Sequence, residues 1–221
     1  MFTNVLSNDT LIVNEIFFSI QGESTHIGKP CVFIRLTGCD LRCVWCDTAY
    51  AFYEGTQTSI EAILQKVQEF NCRLIEITGG EPLAQNNVHL LMKQLCDSGY
   101  EVIIETGGHR DIGVIDSRVK KIMDIKCPGS NMEKRNRWEN ISNLTSSDEI
   151  KFVISDRIDY DWSKNIIQQY KLEKICTILM SPVFGKLENR TLAEWILEDK
   201  LNVRFQIQMH KYIWDPNARG V

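Results

Sequence analysis

Val32-Phe33-Ile34-Arg35-Leu36-Thr37-Gly38-Cys39-Asp40-Leu41-Arg42-Cys43-Val44-Trp45-Cys46 is the most informative stretch of this chain. Its first six residues are mostly apolar and β-branched, which reads as a strand, and Gly38 stops it. Three cysteines follow at once, spaced C-x-x-x-C-x-x-C. Outward from this stretch, strands and helices alternate. Residues 59–70 read as a helix: Ser59 suits the N-cap, and Ile60, Ile63, Leu64 and Val67 recur at helical spacing. Residues 73–78 form the next predicted strand, halted by Gly79-Gly80, and residues 87–98 a helix that Gly99 ends. Further strands are expected at 101–105, 122–125, 149–155, 176–180 and 203–209, and further helices at 161–170 and 191–199. Residues 130–148 are polar and read as a loop or a poorly formed helix, and 210–221 as a tail. Such alternation builds βα units around a mostly parallel sheet.

One regularity points to a site. Gly38-Cys39, Gly79-Gly80-Glu81-Pro82, Thr106-Gly107-Gly108, Cys127-Pro128 and Ser181-Pro182 each follow a predicted strand. Strand termination explains any single one of them. Five in series, one beside a cysteine cluster, favour a shared site at the carboxyl ends of the strands.

Composition narrows the function. The chain has 221 residues, enough to bury a substantial core as one domain over 1–221, and a formal net charge of -4. That balance argues against a nucleic-acid or anionic-membrane binder, which needs a basic face. There is no apolar run of bilayer-spanning length. Residues 1–9 are polar and lack a signal-peptide pattern, so a cytoplasmic location is expected. Eight cysteines without a secretory context do not suggest a disulfide framework. Cys31, Cys72, Cys96 and Cys176 read as small buried hydrophobes, and Cys127 stands at a strand end.

Cys39, Cys43 and Cys46 need their own explanation. Thiolates suit iron–sulfur clusters or zinc. Three of them fill three corners of a four-iron cluster and leave one iron open. Structural zinc wants a fourth nearby Cys or His, and the nearest, Cys31 and His26, lie upstream across the first predicted strand.

C-x-x-x-C-x-aromatic-C after the first strand, with Trp45 as the aromatic, resembles the radical S-adenosylmethionine (SAM) superfamily. The resemblance implies a [4Fe–4S] cluster on Cys39, Cys43 and Cys46, whose open iron chelates SAM and whose reduction releases a 5′-deoxyadenosyl radical. Thr78-Gly79-Gly80-Glu81-Pro82 resembles the glycine-rich motif of the same superfamily, with Gly79, Gly80 and Glu81 expected at the methionine ammonium. The fold implied is α/β, an abbreviated partial (β/α)6-type TIM barrel with some helices short or missing.

Within the superfamily, Ser19-Ile20-Gln21-Gly22-Glu23, Arg35, Asp47-Thr48, Glu105-Thr106-Gly107-Gly108, Asp124-Ile125-Lys126-Cys127-Pro128 and Gln208-Met209-His210 are similar to the 7-carboxy-7-deazaguanine synthase family over nearly the whole chain. That family converts 6-carboxy-5,6,7,8-tetrahydropterin to 7-carboxy-7-deazaguanine by radical ring contraction with loss of ammonia, in queuosine and 7-deazapurine biosynthesis. The resemblance assigns Ile20, Gln21, Gly22, Glu23, Arg35, Thr106, His210 and Val221 to substrate. It assigns Trp45, Asp47, Gly108, Lys126, Cys127, Pro128, Ser181 and Pro182 to SAM, and Thr48 to Mg²⁺. Arg35, alone in an apolar strand, suits a carboxylate partner, either the substrate's or a structural one. Thr48 also suits a local cap and His210 a structural histidine. The family further implies a homodimer reduced by flavodoxin or ferredoxin, with no direct contact to nucleic acid or membrane. Two competing readings are a glycyl-radical-type activating enzyme, which lacks the Ser-Ile-Gln-Gly-Glu opening, and a non-catalytic iron–sulfur or zinc protein, in which Gly79 to Pro82 has no purpose.

Overall fold

The computed structural model describes residues 9–221, so all but the last residue of the polar 1–9 segment lies outside the described residues. A nine-stranded sheet organises the chain. In chain order its strands are β1 (Thr10–Ile20), β2 (Pro30–Leu36), β3 (Thr56–Ser59), β4 (Leu74–Gly79), β5 (Glu101–Thr106), β6 (Lys120–Asp124), β7 (Glu149–Ile154), β8 (Thr177–Pro182) and β9 (Arg204–Phe205). In space they run β3-β1-β2-β4-β5-β6-β7-β8-β9. From β2 to β9 every neighbouring pair is parallel, while β1 is antiparallel to β2 and to β3. β3 and β9 are opposite edges, so the sheet is an open, partial barrel.

Four helices cross between strands: α1 (Ile60–Glu69), α2 (Val88–Asp97), α3 (Arg157–Tyr170) and α4 (Asn189–Glu198). The crossovers β5–β6 and β6–β7 have only turns and short 3-10 segments, as an abbreviated barrel requires. Ser59 caps α1 through its hydroxyl, which accepts from the Ala62 amide. α3 starts before the expected residue 161, because Asp156 caps it by accepting from the Asp159 amide. The long strand β1 and the short β3 were not expected. β9 keeps only two residues of the expected 203–209, and the tail contains a short helix α5 (His210–Ile213).

The two faces of the sheet differ in chemistry. Val32, Ile34, Ile75, Ile77, Val102, Ile104, Phe152 and Ile154 pack with helix residues such as Ile63, Val67, Leu91, Leu95 and Ile167 in the main core. Strand periodicity of two sends the intervening residues to the other face. There Cys31, Phe33, Leu74, Ile103, Ile122 and Leu179 form a small apolar plug. Two residues further along their strands stand Arg35, Glu76, Glu105, Asp124 and Ser181, which line a cavity. The plug is thus the floor and the charged layer the chamber above it.

Residues 21–29, between β1 and β2, close the amino ends of the parallel strands. His26 pairs with Glu101 at 2.8 Å, and the Thr25 hydroxyl bonds Glu149 at 2.5 Å. The same segment bridges the open side of the sheet: the Met209 amide donates to the Gly22 carbonyl (3.0 Å) and the Ser24 amide to the Gln206 side chain (2.9 Å). Of the scattered cysteines, Cys31 is fully buried, whereas Cys72, Cys96 and Cys176 are only half-buried at the edge of the core.

Candidate functional site

The cavity, about 960 Å³, opens at the carboxyl ends of β2, β4, β5, β6, β7 and β8. That volume suits a cofactor and a small substrate together. Cys39, Cys43 and Cys46 all face it, as do Trp45, Asp47 and Thr48. Their loop is held from several sides. The Gly38 amide donates to Ala51 at 2.8 Å, the Val44 amide to Ser130 at 3.2 Å, and the Leu41 amide to the Cys39 sulfur at 3.4 Å. The Arg42 guanidinium turns back onto the Cys39 and Leu41 carbonyls at 2.7 and 2.6 Å. Outside, Asp40 accepts from His109, Arg110 and Arg135 at 2.7, 3.2 and 3.2 Å. Burial pushes the Cys39 and Cys43 thiols above their ordinary value.

Gly79-Gly80 is forced by proximity. A Cβ on Gly79 would sit 2.2 Å from the Leu36 carbonyl oxygen, and one on Gly80 2.3 Å from that of Gly38 and 3.0 Å from the Cys39 Cβ. The backbone there donates to Leu36 and Gly38, at 3.1 Å from Gly80 and 2.7 Å from Glu81. Glu81 lines the cavity, and its side chain is also tied into the fold. Its buried carboxylate accepts from the Leu83 amide (3.0 Å), the Thr106 hydroxyl (2.8 Å) and the Gly107 amide (2.8 Å). Glu81 and Thr106 therefore tie the ends of β4 and β5 together, and the glycine backbone is what fronts the cluster loop.

The charged layer is the least expected part. Lys151 bridges Glu23 at 2.5 Å and Glu105 at 2.7 Å. Burial works against its charge, but the two carboxylates hold the ammonium well above its usual value. Burial likewise opposes ionisation of Glu105, yet Lys151 holds that carboxyl below its ordinary range. Glu76 is pushed up to about 8 by burial, with Glu105 and Glu23 adding repulsion. The Gln21 amide nitrogen donates to Glu76, and its amide oxygen accepts from the Glu23 amide at 3.0 Å. Lys126 and Asp124 pair at 2.7 Å. Glu76, Glu105 and Lys151 were missed in the sequence although they carry the same signal as Arg35: a charge at an inward position of an apolar strand.

Arg35 donates through Nε to Glu15 of β1 at 2.7 Å, and the Tyr50 hydroxyl donates to the same oxygen at 3.0 Å. The structural partner is therefore present. The guanidinium lies 5.7 Å from the Phe17 ring and 5.9 Å from that of Tyr50, its two terminal nitrogens have no hydrogen-bond partner among the described residues, and the residue lines the cavity. Asp47 accepts from Lys211 (2.8 Å) and Gln208 (3.0 Å), which outweigh desolvation and hold its carboxyl at about 2. The Thr48 hydroxyl makes no capping bond and sits 3.9 Å from the Cys46 sulfur. His210 packs on Gly22, where a Cβ would lie 2.4 Å from its Nδ1, and burial lowers the pKa of its imidazole. The tail residues 216–221, with Val221, line the mouth, and Arg219 stacks over Tyr50 at 3.9 Å.

Ile20, Gln21, Gly22, Glu23, Lys126, Ser181 and Pro182 all line the cavity as expected, but Gly108, Cys127 and Pro128 do not. The Cys127 thiol turns into the core beside the Ser163 hydroxyl at 3.4 Å, where residue 127 begins the turn at Pro128–Ser130 that packs on α3. Gly108 packs against Met123, and its carbonyl is used by Arg137 and Asn140.

The residues fit an iron–sulfur cluster and SAM. The three thiols are free, share one cavity and have a glycine backbone against them. Among the described residues no three His, Cys, Asp or Glu, the three cysteines included, are drawn together closely enough to hold a metal ion. The buried Ser181 hydroxyl on the cavity wall lacks a partner, as a ligand-facing group would. No described helix is long and apolar enough to cross a membrane.

Comparison with known proteins agrees with this geometry. Residues 33–196 match the model of the Radical SAM superfamily. A 7-carboxy-7-deazaguanine synthase of Chlorobaculum tepidum is 45% identical over 214 residues, covering 96% of this chain and 97% of its own. One of Koribacter versatilis is 44% identical, covering 95% and 99%. Among solved structures, QueE from Escherichia coli aligns with a TM-score of 0.75 at 23% identity, over 91% of this chain and 95% of that one. Streptococcus suis SuiB bound to S-adenosylmethionine aligns with a TM-score of 0.52 at 14% identity, over 77% and 45%. These last two likenesses concern the fold.

Proposed function

This chain belongs to the Radical SAM superfamily and, within it, to the 7-carboxy-7-deazaguanine synthase family, and on that premise we propose that it contracts 6-carboxy-5,6,7,8-tetrahydropterin to 7-carboxy-7-deazaguanine with loss of ammonia. The observation that carries this reading is the meeting, in one cavity, of three thiols, a glycine turn and a charged layer suited to a polar heterocycle. With the cluster on Cys39, Cys43 and Cys46, bound SAM supplies a 5′-deoxyadenosyl radical for hydrogen abstraction.

The chain's own residues bind, orient and exclude water. The Gly79-Gly80 backbone, Trp45 and Ser181 cradle SAM. The free end of the Arg35 guanidinium takes the substrate carboxylate, with Glu15 fixing its plane. Gln21 spends its amide on Glu76 and Glu23, so the carboxyl groups of Glu76 and Glu23 carry polar recognition from below. His210, whose imidazole pKa burial lowers, and the 216–221 tail close the mouth. Thr48 holds Mg²⁺ together with substrate oxygens and water, the usual pattern for an ion that keeps much of its hydration. The enzyme acts as a cytoplasmic homodimer and receives electrons from a flavodoxin or ferredoxin.

Anaerobic reconstitution with iron and sulfide, reduction, and addition of SAM, Mg²⁺ and the pterin test this reading by mass spectrometry. Deazapurine formation is expected, with Cys43→Ala inactive. Arg35→Ala is expected to keep the cluster and lose about 2–5 kcal/mol of substrate binding. Deoxyadenosine without deazapurine would overturn the substrate, and normal pterin binding by Arg35→Ala the role of that residue.

A further inference from the structure

One buried histidine has no part in the chemistry described so far. His109 follows Gly107-Gly108 at the end of β5, with its side chain only 2% exposed. It does not line the cavity. Its Nε2 donates to Oδ1 of Asp40 at 2.7 Å, and Asp40 directly follows Cys39. Its Nδ1 stands 3.6 Å from Oε2 of Glu81, in the glycine-rich turn. The ring packs over Gly107, where a Cβ would lie 3.1 Å from Nδ1 and 3.1 Å from the Leu41 side chain. One side chain thus spans the two segments that front the cavity, the cysteine loop and the glycine turn. Both of its neighbours are fixed from elsewhere. Asp40 gives its other oxygen to Arg110 and Arg135, which leaves Oδ1 to the histidine. Glu81 is held by Leu83, Thr106 and Gly107 in the position that Nδ1 faces. The bond to Asp40 is charge-assisted and among the stronger polar contacts. Nδ1, by contrast, is buried without a hydrogen-bond partner among the described residues. An unmatched buried nitrogen costs stability that an apolar side chain would not. A residue that only filled this space would be better apolar.

We propose that His109 is a positioning residue for SAM: it sets the spacing between the cysteine loop and the glycine turn, and with it the seat of the methionine end of SAM. The proposal rests on the reading of these two segments as the cluster and SAM sites. It adds a residue that belongs to neither motif and acts through Asp40 on one side and Glu81 on the other. His109 touches neither cofactor and takes no part in bond making or breaking.

The test compares His109→Gln with His109→Asn in the reconstituted holoenzyme. Glutamine carries its amide nitrogen about where histidine carries Nε2, so it keeps the bond to Asp40. Asparagine carries its nitrogen near the place of Nδ1 and loses that bond. Readouts are iron bound per chain, SAM affinity by calorimetry, and the change that SAM makes in the electron paramagnetic resonance spectrum of the reduced cluster. None of them needs the pterin. Both variants should load iron fully. His109→Asn should bind SAM about tenfold more weakly, the scale of one charge-assisted hydrogen bond, and show an altered SAM-dependent spectrum. His109→Gln should stay close to the parent protein. In turnover the KM for SAM should rise in the same order, while the KM for the pterin stays unchanged. Unchanged SAM affinity and spectrum in His109→Asn would overturn the proposal. Equal losses in the two variants, or loss of iron from either, would make His109 a general support of the fold and overturn it too. A protein that shows these effects on SAM but makes no deazapurine would overturn the substrate assignment and leave the role of His109 standing.

Discussion

Replacing Lys151 with Met should expose how much of this fold depends on one buried ammonium. Lys151 lies on β7 with its side chain 7% exposed, bonded to Glu23 at 2.5 Å and to Glu105 at 2.7 Å. At an effective dielectric of about 20, each such contact is worth roughly 6 kcal/mol of attraction, much of which desolvation cancels. Methionine restores the volume but leaves two carboxylates, with Glu76 beside them, in a layer that has lost its cation. Breaking a buried pair in this way costs about 3–5 kcal/mol. For a chain of this length that corresponds to a fall in Tm of roughly 6–20 °C. The sign with pH follows from Glu105, whose carboxyl is held low by Lys151. Its contribution is present above the unfolded carboxyl pKa and is lost as pH falls through the folded value. In the variant the carboxyls protonate readily, so the deficit should be largest at neutral pH and shrink toward pH ~4.5. Urea unfolding of both proteins across that range measures it. Adding Glu105→Gln to Lys151→Met should recover part of the loss. A neutral-pH deficit under about 1 kcal/mol, or one that does not shrink in acid, would refute the idea that Lys151 neutralises this layer.

Glu76, pushed up to about 8, makes the folded state hold a proton that the unfolded chain releases near 4.5. Its contribution is complete below pH 4.5 and is lost as pH rises through about 8, so Glu76→Gln should flatten the fall in urea midpoint between those values; a curve parallel to the parent protein would contradict this. Gly80→Ala places a Cβ 2.3 Å from the Gly38 carbonyl oxygen. It should lower the iron and sulfide bound per chain while circular dichroism stays native, and full loading would show that the glycine is not needed for the cysteine loop.

Much of the fold is legible because local and global signals agree. The βα alternation, the Ser59 cap and the glycine stops all appear where residues 59–106 suggest them. β1 escaped because its polar residues, Asn14, Glu15 and Ser19, break the apolar run; Asn14 is accommodated by donating to the Glu54 carbonyl and Glu15 by accepting from Arg35. β9 is shorter than the expected 203–209 because the chain beyond Phe205 bonds to the 22–24 segment. In the site, the contiguous motifs were readable, whereas Glu76, Glu105 and Lys151 depend on which strand face turns inward. Cys127 shows the reverse error: adjacency in sequence to Lys126 suggested the cavity, but its thiol packs against Ser163 of α3 instead.

The bridge from residues 22–24 to residues 206–209 also bears on how the molecule comes into being. Partners 182 and 183 positions apart meet there, Ser24 with Gln206 and Glu23 with Gln206. Closure of so long a loop comes late, after the helices and neighbouring strands have formed. During synthesis the cysteine loop leaves the ribosome well before the segment that seals the chamber around it. Thiols and charged layer therefore spend an interval open to solvent on one side, which gives iron and sulfide a way in that the finished chamber narrows.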